Sequence, residues 1–160
     1  MSNRNYLSIY AKSFNWAGFF LPKKTYQKCS SLYDFCRTVD DIADDQSELD
    51  IKKKNLSVFK RNFINKNFNN LIIKNMWDLM ISHEISIKII EDLFAGVESD
   101  LSEKVQLNNK KDLLIYSYRV AGTVGLMMAK ILNVKDKDSM KAAIDLGIAM
   151  QLTNIARDVV

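Results

Sequence analysis

The stretch YDFCRTVDDIADDQ, Tyr33 to Gln46, places four aspartates (Asp40, Asp41, Asp44 and Asp45) within six residues, directly after an apolar run. Carboxylates at this density either face water or hold a cation. At about 100° per residue, Arg37, Asp40, Asp41 and Asp44 fall on one arc of a helix, with Leu32, Phe35, Cys36, Val39 and Ala43 opposite. Periodicity alone describes an amphipathic helix with a wet acidic face. Two costs oppose that reading. Like charges at i, i+1 and i+4 repel one another, and the cluster stands near the helix C-terminus, where the macrodipole disfavours anions. A divalent cation reverses the repulsion, because Mg²⁺ takes hard carboxylate oxygens. Arg37, one turn earlier, carries a fork of donors suited to a phosphate held by that metal.

One cluster cannot close a metal site, so a second helix must supply facing ligands. In DLGIAMQLTNIARDVV, Gly147, Gln151, Asn154 and Asp158 follow at steps of four, three and four, forming one stripe. The rest of the segment is mostly Ile, Ala, Met, Leu and Val, which reads as a helix buried nearly all round. Buried amides and carboxylates require partners. Two arrangements provide them: an interhelical hydrogen-bond network, or a cavity in which the stripe faces Asp40 and Asp44 with Mg²⁺ between. Arg157, beside Asp158, is again placed for phosphate.

The elements that position these rows are all expected to be helices. Five glycines and one proline in 160 residues leave little room for a turn-rich β architecture, and no window alternates cleanly enough for a strand. A first helix is expected over about Asn5 to Phe20. Pro22 suits the first turn of a second, running to about Asp45. Ser47 is a candidate cap for a third, basic helix, and Asn70 to Ile81 carries the next. Glu84 to Leu101 has apolar residues at three- and four-residue spacing, with His83 near its start after Ser82. Asn109 or Asp112 could open the helix containing YSYRVAGTVGLMMAKIL, and Asp138 could cap the last. Ala121, Gly122 and Gly125 suit either close helix approach or space for a ligand.

Composition, 48% hydrophobic and 26% charged, is that of a globular domain and excludes disorder. The formal charge of +4 is concentrated in KKKNLSVFKRNFINK, Lys52 to Lys66. Such a run attracts anions but usually forms the solvated face of a helix, and it lacks the character of a nucleic-acid reader. Cys29 and Cys36 are expected to be packed and reduced, and a single histidine excludes a zinc site built from imidazoles. No segment has the roughly 20 apolar residues of a membrane span. The expected location is cytoplasmic, with peripheral attachment to an inner membrane compatible with the basic excess.

Together, SFNWAGFFLPKK, YDFCRTVDDIADD, YSYRVAGTVG and QLTNIARDVV resemble, in order and spacing, the signature segments of the squalene/phytoene synthase family. The resemblance implies an all-α isoprenoid-synthase bundle around a central cavity. It implies a prenyltransferase performing Mg²⁺-dependent head-to-head condensation of two farnesyl or geranylgeranyl diphosphates. The product would be phytoene or a squalene-type hydrocarbon, in carotenoid or triterpenoid biosynthesis, with NADPH required only for squalene. By motif position, Asp40, Asp44, Asn154 and Asp158 match metal ligands, and Asp40, Asp44, Asp158 and Tyr116 the catalytic set. Ser13, Arg37, Tyr116, Gln151, Asn154 and Arg157 match substrate-binding positions. The family's second motif continues to an aspartate four residues past Asp158, whereas this sequence stops at Val160. Residues 1–160 are therefore expected to be the N-terminal part of a single domain, inactive alone and with an apolar face exposed.

Two other classes compete. A non-catalytic assembly-factor relative would share the fold but tends to lose the aspartates, and all of them stand here. A carboxylate-bridged di-iron bundle needs Glu-x-x-His pairs, which one histidine cannot supply.

Overall fold

The computed structural model describes Gly18, residues 20–102 and residues 107–158. The expected first helix and Ser13 lie almost wholly outside the described residues. Among the described residues the chain is helical, without strands: α1 Lys23–Asp44, α2 Leu49–Ile64, α3 Leu71–Ser82, α4 Ile87–Asp100, α5 Lys110–Ser117, a π-helical segment Tyr118–Gly122, α6 Thr123–Ile131 and α7 Lys137–Asp158. None is long and apolar enough to cross a membrane.

The α1 helix is the hub, packing against α2, α3, α4 and α6. Its apolar arc, Leu32, Phe35, Cys36 and Val39, is buried as its periodicity requires. Phe35 lies 5.2 Å from Phe63, which is 5.9 Å from Phe94 and stacks on Trp77 at 5.4 Å, measured between ring centroids. These offset and edge-on pairings exploit the ring quadrupoles and add to area burial. The Trp77 indole donates to the Phe63 carbonyl at 2.9 Å, so this partly buried N–H is satisfied. Cys29 and Cys36 are free thiols in this core. The basic run of α2 is largely solvated; Lys60 pairs with Glu98 at 2.6 Å, and Lys66 covers the Trp77 ring at 4.6 Å.

Several helix starts differ from the sequence reading. Pro22 is the residue before α1 rather than within its first turn, and its carbonyl accepts from the Tyr26 amide. Glu48 rather than Ser47 precedes α2, because the Ser47 amide is held by the Asp45 side chain in a short turn. His83 ends α3 instead of starting α4: Glu84 adopts a left-handed φ of 52°, Ile85 is buried, and the Ser86 hydroxyl caps α4. Asn109 and Asp112 act together, Asn109 accepting from the Asp112 amide while its own side chain donates to the Asp112 carboxylate, both at 3.0 Å. Asp136, not Asp138, receives the Ser139 amide at the start of α7.

The largest departure concerns α7. Its sequence predicts burial nearly all round, yet Gly147 is its one buried residue, while Leu146 is 63% and Met150 43% exposed. Apolar composition reports a wish for burial, and the α5–α6 hairpin partner supplies it on one side only. On that side the backbones touch. A Cβ on Gly125 would strike the Ala143 carbonyl, and one on Gly147 would strike the Ala121 carbonyl and come within 3.1 Å of the Gly122 Cα. Both small residues are therefore used for close helix approach.

Alanine normally stabilises a helix over glycine by about 1 kcal/mol. At Gly147 it should instead destabilise by about 1–3 kcal/mol, because rigid backbone must move. Urea denaturation of Gly147→Ala checks this; an unchanged or raised midpoint would contradict the close approach.

Candidate active site

The close contact between α6 and α7 splays into a pocket of about 470 Å³ against α1. Arg37 and Asp40 line it from α1, Gln151 and Asn154 from α7, and Ala121, Gly125 and Met128 from the π segment and α6. The two polar rows identified in sequence thus share one cavity, at one end of an otherwise apolar groove. The antiparallel register, Ala121 beside Gly147 and Gly125 beside Ala143, sets that end level with the start of the π segment.

Asp40 is reached by water at the pocket surface, but the walls displace most of its hydration. That desolvation, followed by repulsion from Asp44 and opposed by Arg37, raises its pKa to about 6. Arg37 pairs with Asp41 at 2.7 Å, one turn along α1, so its guanidinium is held at the pocket edge. Burial, with Asp40 nearby, pushes the Cys36 thiol well above its ordinary range, leaving it a protonated wall residue.

Four expected site residues lie outside the pocket lining. Asp44 is one turn past Asp40 and is felt by it electrostatically. Asp158 is one turn past Asn154, 66% exposed, and pairs with Arg157 at 3.0 Å. The polar row is therefore not buried along its whole length, because α7 is covered on one side only. Tyr116 is half-buried and donates to Asp100, whose carboxyl is raised by its own burial and by Asp44. Burial, then Asp100, Asp40 and Asp44, hold the Tyr116 phenol above its usual range.

Asp100 was missed in the sequence. Its signal was the one that marks Asp44: each is the last residue of its helix, where an anion is electrostatically unfavourable. Among the described residues no three carboxylate, thiolate or imidazole groups converge as a closed metal cage. The donor chemistry nonetheless fits a divalent cation. Asp40 and Asp44 are mutually repelling oxygen donors, Asn154 adds a carbonyl oxygen, and the unfavourable charge on Asp40 is what a cation would offset.

A helical bundle with carboxylates, a guanidinium and amides gathered at one end of an apolar groove defines an all-α isoprenoid-synthase architecture. The family model described as squalene/phytoene synthase matches residues 7–160. The 15-cis-phytoene synthase of Pantoea ananas is 32% identical over 166 residues, covering 96% of this chain and 53% of that protein. Phytoene synthase 1, chloroplastic, of Zea mays is 30% identical over 160 residues, covering 94% and 38%. A crystal structure of a dehydrosqualene synthase in complex with ligand superposes with a TM-score of 0.73 at 31% identity, covering 95% of this chain and 53% of that one. The chain belongs to the squalene/phytoene synthase family. It spans about half the length of the bacterial relatives it matches.

Because the folded pKa of Asp40 is raised, its protonated form is favoured in the native state. Its contribution is fully present below about pH 4 and lost as pH rises through about 6. In metal-free buffer, Asp40→Asn should therefore raise Tm at pH 7.5 but not at pH 4, measured by circular dichroism. Adding millimolar Mg²⁺ at pH 7.5 should raise the wild-type Tm and leave Asp40→Asn nearly unchanged.

Proposed function

We propose that this chain carries the diphosphate-recognition elements of a synthase that joins two prenyl diphosphates head to head, with Mg²⁺, to a linear hydrocarbon. The observation that carries this reading is the single pocket whose polar end holds Arg37, Asp40, Gln151 and Asn154 and whose remaining walls are apolar. An amphiphile with an anionic head and a hydrocarbon tail matches that division. Membership of the family and the phytoene synthase relatives support the same reading.

Asp40 and Asp44, with Asn154 and Asp158 across the groove, would hold the metal. When bound, Mg²⁺ supplies the charge neutralisation that turns a diphosphate into a leaving group. The chain's own residues do the rest. Arg37, anchored by Asp41, offers donors to diphosphate oxygens at the pocket edge. Gln151 and Asn154 offer amide donors from the facing helix. Tyr116, kept a neutral phenol and oriented by Asp100, presents an uncharged oxygen near the head group. Ala121, Val124 and Met128 exclude water from the carbocation left behind.

Isothermal titration with geranylgeranyl S-thiolodiphosphate, whose carbon–sulfur bond resists ionisation, tests the reading. Binding should require Mg²⁺ and fall at least tenfold, about 1.4 kcal/mol, in Arg37→Gln or Asp44→Asn. Equal binding with and without metal would overturn it.

A further inference from the structure

From Ile51 to Trp77 the chain runs for twenty-seven residues without a carboxylate, and seven of them, from Lys52 to Lys74, are Lys or Arg. Two of these are neutralised from outside the stretch, Lys60 by Glu98 at 2.6 Å and Lys74 by Asp78 at 2.7 Å. The other five make no salt bridge among the described residues, so α2 and the turn after it present a surface of one sign.

A solvated basic helix has no need of exposed apolar side chains, and this one carries them in order. Ile51, Lys54, Val58 and Arg61 follow at steps of three, four and three, within an arc of about 80°. That arc lies opposite the buried Leu56, Phe59 and Phe63, and all four of its residues are exposed. Where α2 ends, every residue from Ile64 to Leu71 is exposed; Phe68 is 47% exposed, and Ile64 and Leu71 are more so. Local bonds set the shape of this turn. Lys66 takes a left-handed φ of 55°, and the Asn67 amide donates to the Asn62 carbonyl at 2.9 Å. The Asn70 side chain caps α3, accepting from the Ile72 amide at 2.9 Å. Phe68 is thus held outward between cations, and apolar groups displayed in this way mark an interaction site.

Cations attract any polyanion, but the aliphatic side chains among them select the class. Against nucleic acid Ile51, Val58, Ile64 and Leu71 would face charged phosphates or stay wet. At a bilayer they enter the boundary between head groups and acyl chains, while Lys and Arg reach up to the phosphates. We infer that the outer arc of α2 and the turn Ile64–Leu71 form a docking surface for a bilayer bearing anionic lipid, with Phe68 its deepest point. Among the described residues none from α2 or this turn lines the pocket, so docking leaves the pocket walls free and does not depend on the reaction proposed above.

The test is flotation of the 160-residue chain with vesicles of phosphatidylcholine, with and without phosphatidylglycerol. Binding should require the anionic lipid. It should be lost as salt rises from about 0.1 M to about 1 M, where the screening length falls from about 10 Å to about 3 Å. A cation near such a surface is worth roughly fivefold, so Lys54→Gln combined with Arg61→Gln should weaken binding roughly twentyfold. Phe68→Ser should weaken it roughly fivefold at low salt, by removing the inserted ring. All three positions are exposed, and circular dichroism should show each variant folded as wild type. Orientation is read separately by fluorescence. Phe68→Trp should gain emission that lipids brominated on their acyl chains quench, whereas the emission gained by Leu146→Trp, on the exposed side of α7, should be unaffected. Equal binding to neutral vesicles, substitutions that leave binding unchanged, or quenching of Leu146→Trp would overturn the docking surface. So would retention on an acidic polypeptide without binding to vesicles.

Discussion

Much of this molecule depends on two places where α7 meets its neighbour backbone to backbone, α6 at Gly125 with Ala143 and the π segment at Ala121 with Gly147. Without side chains between them, the helices come close enough for van der Waals contact to run along the main chain. The approach is what leaves a groove on the α1 side, since helices held apart by larger residues would fill that space themselves. It also aligns Asn154 with the helix bearing Tyr116, so that the two polar rows share one end of the cavity. The small residues thus provide packing and vacancy together, on opposite sides of the same contact.

The electrostatics follow from where that groove meets α1. Asp40, Asp44 and Asp100 come from two helices and each raises the proton affinity of a neighbour. A fold maintains such self-repulsion only when other interactions outweigh it, and here the aromatic cluster of Phe35, Phe59, Phe63 and Phe94 lies on the opposite face of the same helix. The α1 helix therefore joins a strongly stabilised face to a destabilised one. Perturbed carboxylates in a cleft beside a rigid core are the pattern expected of a functional site.

Much of this was legible in the sequence, for identifiable reasons. Helix identity follows from apolar spacing and scarce breakers, and the buried arc of α1 follows residue by residue from its periodicity. Caps were less legible: Ser47, Glu84 and Asp138 each stand beside residues of similar capping ability, and the choice was made by tertiary contacts such as burial of Ile85. The convergence of Arg37, Asp40, Gln151 and Asn154 could be inferred because charged and amide stripes at helical spacing need partners. Exposure of α7 could not, because an apolar composition does not specify which element covers it. Asp100 was hidden since a single acid at a helix end has no periodic companion, and its role depends on the long-range approach of Tyr116.

The π segment Tyr118–Gly122 has a consequence for how this region can vary. A π turn accommodates an additional residue within an otherwise α-helical run. It therefore keeps two rows in one phase: Tyr116, hydrogen-bonded to Asp100, upstream, and the row Ala121–Gly125–Met128, which lines the groove, downstream. The wide turn sweeps about the same angle with one more residue, so removing one residue here would let the helix relax to regular α geometry with the downstream row nearly in place. Removing one from the regular turns of α6 would instead rotate everything after it by about 100°. A single-residue deletion that α6 cannot take is thus one that these five residues can absorb, as the exposed turn at Asn65–Asn70 can.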